Sequence, residues 1–189
     1  HDPSYIFRGH KADIFEGGTR VPLIIKWPNK IQKKSISNTL VSLVDFYSTF
    51  AEILGLNLDE NEAEDSFSIL PIFEKSNSLS SRNSLVTSSL NGTFAIQKNE
   101  FKLITSADSG GWSQPVPRNN NENIGADFQL YNLELDPGEK NNLHSKNNII
   151  SNELKNELKK IIISGRSTVG KKSKNENIDN WKQINWINK

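Results

Sequence analysis

The chain has 189 residues, with 23 Lys and Arg against 22 Asp and Glu, for a formal net charge of +1. That balance gives no electrostatic grounds for a nucleic-acid or anionic-membrane partner, and the length suits one domain, or a large domain's tail with a smaller unit. The absence of cysteine excludes disulfides, thiolate metal sites and cysteine nucleophiles within these residues. Methionine is also absent and the chain opens on His1-Asp2-Pro3-Ser4, which reads as a piece of a longer product. No window is long and apolar enough for a transmembrane helix, and the first residues show no signal-peptide pattern.

Taken in chain order, the first element is the apolar run Val21-Pro22-Leu23-Ile24-Ile25-Lys26-Trp27, ended by Pro28. Continuous apolar character predicts a strand buried on both faces, with Pro22 near its start. Gly17-Gly18 before it supplies a turn able to take positive φ. A helix is predicted from Asp45 to Leu54, with Asp45 as N-cap, Phe46, Phe50 and Leu54 on one face, and Gly55 as the stop. Ser66 to Phe73 forms a second apolar patch in which Pro71 limits any helix. The Ser/Asn-rich stretch from Ser76 to Ser84 reads as a linker and domain boundary.

Beyond it the hydrophobic period falls to two. Ser84 to Leu90 predicts a strand, and Thr93–Gln97 and Phe101–Thr105 predict a hairpin around a three-residue loop, Lys98-Asn99-Glu100. A long polar loop from Ser106 to Ala126 precedes a strand at Phe128–Leu133 and the turn Asp136-Pro137-Gly138-Glu139. Ile150, Leu154, Leu158 and Ile162 predict one amphipathic helix. From Gly165 onward apolar residues thin out, and an extended tail is expected, pinned by Trp181 and Trp186.

The chemistry concentrates in the stretch from Arg8 to Pro22. Arg8, His10, Lys11 and Arg20 lie beside the Gly-Gly turn, and cationic groups at the end of a sheet strand suit a sulfate, phosphate or carboxylate. The same spacing also fits a solvated loop in which Asp13 and Glu16 neutralise the cations. Asp13 and Glu16 could form an acid/base pair, although Glu16 before Gly-Gly reads better as a structural residue. Trp112, in Ser109-Gly110-Gly111-Trp112-Ser113, fits either a platform for a sugar ring or a pin that anchors the long loop. Asn91-Gly92-Thr93 matches a glycosylation acceptor pattern and predicts little.

The blocks Arg8-Gly9-His10-Lys11, Glu16-Gly17-Gly18-Thr19-Arg20-Val21-Pro22 and Trp27-Pro28 resemble the C-terminal signature of the type I sulfatases, the arylsulfatase family. Val44-Asp45, Ile53-Leu54-Gly55, Asp65 to Pro71, Gln129 to Leu133 and Asp136 to Glu139 follow in the family's order. Gly110 to Ser113 and Gly165-Arg166-Ser167-Thr168 are looser similarities to bacterial glycan sulfatases. The resemblance implies an α/β fold: the end of an alkaline-phosphatase-like α/β/α domain at residues 1–80, a small antiparallel β-sheet subdomain with one helix at 81–165, and an extended tail at 166–189. It implies a sulfuric ester hydrolase acting on a sulfated saccharide or aryl sulfate, with Lys11 reaching the sulfate. His1, Arg8, His10 and Trp112 become candidates for the sugar subsite.

The resemblance further implies calcium and a formylglycine nucleophile, neither supplied by this chain. The Cys/Ser-x-Pro-x-Arg motif is missing, and so is the acidic calcium cluster. The chain is therefore expected to be inactive alone and to partner an upstream part of the same enzyme, in an extracytoplasmic setting. Two other readings stay open: a non-catalytic module that binds anionic glycans or a partner chain, and a phosphate or phosphonate hydrolase of the same superfamily.

Overall fold

The alternation after residue 84 builds a four-stranded antiparallel meander, in the order β1 (Leu85–Ser88), β2 (Phe94–Lys98), β3 (Phe101–Ile104) and β4 (Gln129–Asn132). In this computed structural model, residues 3–74, 82–117, 127–174 and 181–188 are described. Lys98 pairs with Phe101, so the β2–β3 hairpin closes over two residues rather than the expected three. Asn99 takes φ 52°, the left-handed conformation that a two-residue turn demands and that Asn tolerates. Ala95 opposite Ile104 and Leu103 opposite Leu130 set the register, and their side chains are buried. A core cluster of Ile14, Phe15, Ala95, Ile104, Tyr131 and Leu133 joins the 8–20 segment to the sheet.

Two compact units result. One consists of His1–Val21, Val86–Lys159 and Glu176–Lys189, the other of Pro22–Leu85 and Lys160–Asn175. The first unit therefore takes in the segment that the sequence assigned to the α/β end. In that unit Lys98 bridges Glu153 and Glu157, both at 2.9 Å, on helix α4 (Asn148–Ser164). Leu154 and Leu158 of α4 are buried, as their spacing predicts. The chain end differs from the expected extended tail: Lys182–Asn188 winds into a 3-10 helix. Its Trp186 is buried edge-on against Phe128, and burying so large a ring fixes the backbone that carries it.

The second unit contains helix α2 (Asp45–Leu54) and the short α3 (Leu70–Glu74). Helix α2 ends at Gly55 with φ 67°, a left-handed cap of the kind predicted. Its start differs. Val44 is the N-cap, and the fully buried Asp45 carboxylate instead accepts from the Ser42 and Phe67 amides and pairs with the buried Arg82 guanidinium. Pro71 sits in the first turn of α3, where its missing N–H costs nothing.

The run from residue 21 to 27 is not a strand. It is largely exposed, with Ile24 at 93%. An extended segment becomes a strand only when a neighbour takes up its backbone N–H and C=O groups, and among the described residues no ladder forms there. Residues 76–81 of the expected linker lie outside the described residues.

Candidate active site

The segment from Arg8 to Arg20 folds back on itself. The Asp13 amide donates to the His10 carbonyl at 3.0 Å, closing a turn that carries Lys11 and Ala12 at its tip. The Gly17 amide donates to the Arg8 carbonyl at 2.7 Å, which lays the short helix α1 (Glu16–Thr19) across that turn. Here the glycines serve a purpose other than the expected positive φ. A Cβ on Gly17 would stand 2.2 Å from the Gly9 carbonyl oxygen, and one on Gly18 would stand 2.3 Å from that of Asp13. Both are backbone atoms, so only a residue without Cβ permits the crossing.

Beneath the turn lies a buried charge network. Lys102 of β3 is 2% exposed, and its ammonium stands 2.9 Å from Glu16 Oε1 and 3.0 Å from Glu139 Oε1. The Glu16 amide donates to Glu139 Oε2 at 2.6 Å, and Arg20 meets Glu16 Oε2 at 3.2 Å. Burial pushes the Glu139 carboxyl above the usual range, against the lowering pull of Lys102 and the Glu16 amide. Burial likewise raises the Tyr131 phenol, which donates to Gln129. Arg8 lies 3.9 Å over the Phe15 ring and donates to the Glu139 carbonyl (3.0 Å), the Tyr131 hydroxyl (3.3 Å) and the Gln114 carbonyl (3.3 Å). All three acceptors are neutral.

A second buried carboxylate ties the turn to the long loop. Asp13 Oδ1 accepts from the Trp112 amide at 2.7 Å and the Ser113 amide at 3.0 Å. Its Oδ2 accepts from the His10 amide at 2.8 Å and from the Ser113 hydroxyl. Burial would raise this carboxyl, but the four donors outweigh it and hold it below the ordinary carboxylate range. The clamp sets Trp112 beside His10, with ring centroids 6.3 Å apart.

Of the residues singled out in the sequence, Lys11, His10 and Trp112 thus gather at one exposed edge, with Arg8 half-buried behind them. His1 lies outside the described residues. Sequence reasoning missed Ser113, Lys102 and Glu139. Lys102 alternates with apolar neighbours in β3 and so reads as a solvent-facing position, and nothing local reveals its buried partners. Next to Arg8, His10 and Ser113, an open cleft is also lined by Tyr5, Gly138 and Lys140. Among the described residues, no group of three His, Asp or Glu side chains is placed to hold a metal ion, and no helix is long and apolar enough to cross a membrane.

A family model described as N-sulphoglucosamine sulphohydrolase, C-terminal, matches residues 9–113. The chain is 33% identical over 164 residues to an N-acetylgalactosamine-6-O-sulfatase of Bacteroides thetaiotaomicron, which covers 85% of this chain and 31% of that protein. A solved Bacteroides thetaiotaomicron structure, from work on the metabolism of multiple glycosaminoglycans, superposes with a TM-score of 0.69 at 30% identity, over 83% of this chain and 32% of its own. A sulfatase structure from Pseudoalteromonas gives a TM-score of 0.68 at 25% identity, over 82% of this chain and 32% of its own. The chain thus spans about a third of the length of the curated relative it matches over most of its residues.

Proposed function

We propose, from the premise that this chain belongs to the N-sulphoglucosamine sulphohydrolase C-terminal family, that it forms one wall of the active site of a sulfatase acting on a sulfated glycan. The observation that carries this reading is the placement of Lys11: an exposed ammonium at the tip of a turn braced on both sides by buried carboxylates. Lys11 would neutralise a sulfate oxygen and the charge that grows on the leaving oxygen as the S–O bond breaks. Trp112 offers a ring face to the saccharide, His10 offers a polar edge, and Arg8 adds charge from behind. The sulfatase relatives from glycan-degrading bacteria support a saccharide ester over a small aryl sulfate.

Residues 1–80 would then belong to the end of the catalytic α/β domain, and 81–165 to the small sheet subdomain. The reaction of this family draws on calcium and on a formylglycine nucleophile. The residues here fit neither, since no acidic group of three is assembled among the described residues and the sequence holds no Cys/Ser-x-Pro-x-Arg motif. Both belong to another part of the parent polypeptide, which we place outside the cytoplasm. No step through either group is assigned to this chain.

The test is Lys11→Ala in the full-length protein that carries this chain, assayed on an aryl sulfate and on a 6-sulfated hexosamine. Loss of one charge-stabilising group predicts a fall in kcat of about 10²–10³. An unchanged kcat on both substrates removes Lys11 from the mechanism.

A further inference from the structure

Three side chains at this edge lie in a chemically ordered row. Ser113 Oγ is in hydrogen-bond contact with Asp13 Oδ2 on one side and stands 2.9 Å from His10 Nδ1 on the other. His10 Nδ1 is also 3.5 Å from the same carboxylate oxygen. A hydroxyl has one proton to give, and an ionised carboxylate has none. Three backbone amides, of His10, Trp112 and Ser113, donate to the Asp13 carboxylate and favour its ionised form, so the proton between Oγ and Oδ2 belongs to Ser113. The lone pairs of Oγ are then what faces His10. An Nδ1 lone pair would oppose both Oγ and the carboxylate oxygen, so Nδ1 must carry a proton.

We propose that Asp13 and Ser113 are positioning residues that fix neutral His10 as its Nδ1–H tautomer, leaving Nε2 as an acceptor for a hydroxyl of the saccharide bound beside Lys11. The ring is reachable: the His10 side chain is 51% exposed, whereas that of Asp13 is fully buried. One end of the row is therefore locked in the protein interior and the other is open. Such a nitrogen selects for a ring hydroxyl and gives nothing to the sulfate, which has no proton to donate. Lys11 and His10, adjacent on one turn, would thus read opposite features of one ligand: the anion and a neighbouring O–H. A buried partner that orients an imidazole through its other nitrogen is a general device for setting which nitrogen works. The tautomer follows from the geometry alone, while the ligand named here rests on the sulfatase reading.

Nitrogen-15 long-range correlation spectra of the full chain, recorded at alkaline pH, read the tautomer directly, with His10 assigned by its loss in His10→Gln. The expected pattern is a protonated Nδ1 and an unprotonated Nε2. Ser113→Ala and Asp13→Asn should move the ring toward the Nε2–H form, and Ser113→Thr, which keeps the hydroxyl, should restore the wild-type pattern. A wild-type ring already in the Nε2–H form, or one that ignores both substitutions, overturns the proposal. Titration with N-acetylgalactosamine 6-sulfate should shift His10 Nε2, and inorganic sulfate should not. Equal responses, or none from the saccharide, overturn the hydroxyl-recognition step. None of these readouts depends on turnover, so they stand apart from the Lys11→Ala assay.

Discussion

Lys102→Met tests whether the network beneath the turn holds the site together. The substitution keeps most of the side-chain volume and removes one buried ammonium from between two buried carboxylates. Glu16 would keep Arg20 at 3.2 Å, although that arginine is 58% exposed and solvent weakens the pair. Glu139, with its side chain fully buried, would keep among the described residues only the Glu16 amide as donor. Breaking a buried pair by removing one partner costs about 3–5 kcal/mol, and here Glu139 bears most of it. The pH dependence has a definite sign. The folded-state pKa of Glu139 already lies above its unfolded value, chiefly through burial. Its contribution to stability is therefore full below the unfolded pKa and is lost as pH rises through the raised folded value. Removing Lys102 takes away a lowering influence and raises that folded value further, so the penalty should be largest near neutrality and shrink on acidification. Urea unfolding at pH 7 and at pH 5, followed by far-ultraviolet circular dichroism, measures both. A loss below about 1 kcal/mol, or one that does not change with pH, would refute the reasoning.

Gly18→Ala drives a Cβ to within 2.3 Å of the Asp13 carbonyl oxygen. Overpacking of this kind costs about 1–3 kcal/mol, and amide exchange across residues 10–18 should accelerate while α4 stays protected. Asp45→Ala leaves the Arg82 guanidinium, 2% exposed, without its carboxylate. A loss of about 3–5 kcal/mol is expected, read as a lower urea midpoint; an unshifted midpoint would mean that the pair contributes no net stability.

The elements easiest to read from the sequence were those whose signal is local. The apolar spacing at Leu154 and Leu158, the Gly55 stop and the alternation through Phe94–Ile104 each depend on residues a few positions apart, and the structure follows them. The errors fall where a residue's partner is distant in sequence. Asp45 has the chemistry of an N-cap, yet Arg82, 37 positions away, claims its carboxylate. Lys102 obeys the strand period and is nevertheless buried, because Glu16 and Glu139 arrive from either side of it in the chain. The 21–27 run has the composition of a strand but no neighbour among the described residues to complete it. Gly17 and Gly18 look special in the sequence for their backbone freedom, but the constraint is room for a carbonyl to pass, which only the folded crossing reveals.

The same division explains the shape of the candidate site. Lys11, His10 and Trp112, the residues proposed to meet the ligand, are each exposed, so none is held in place by burial of its own side chain. Their positions come from the backbone, and that backbone is fixed by groups that touch no ligand: Asp13 through four donors, Glu16 through Lys102 and Arg20, and two glycines through the absence of a Cβ. Two buried carboxylates, three residues apart in sequence, thus brace opposite sides of one turn. One faces the sheet and the other faces the 109–113 loop. An ammonium at the tip of such a turn costs little to orient when an anion arrives, because the ordering of its backbone was completed on folding. Burial of Asp13 and Glu16 would therefore be the condition for Lys11 to play its proposed part while exposed.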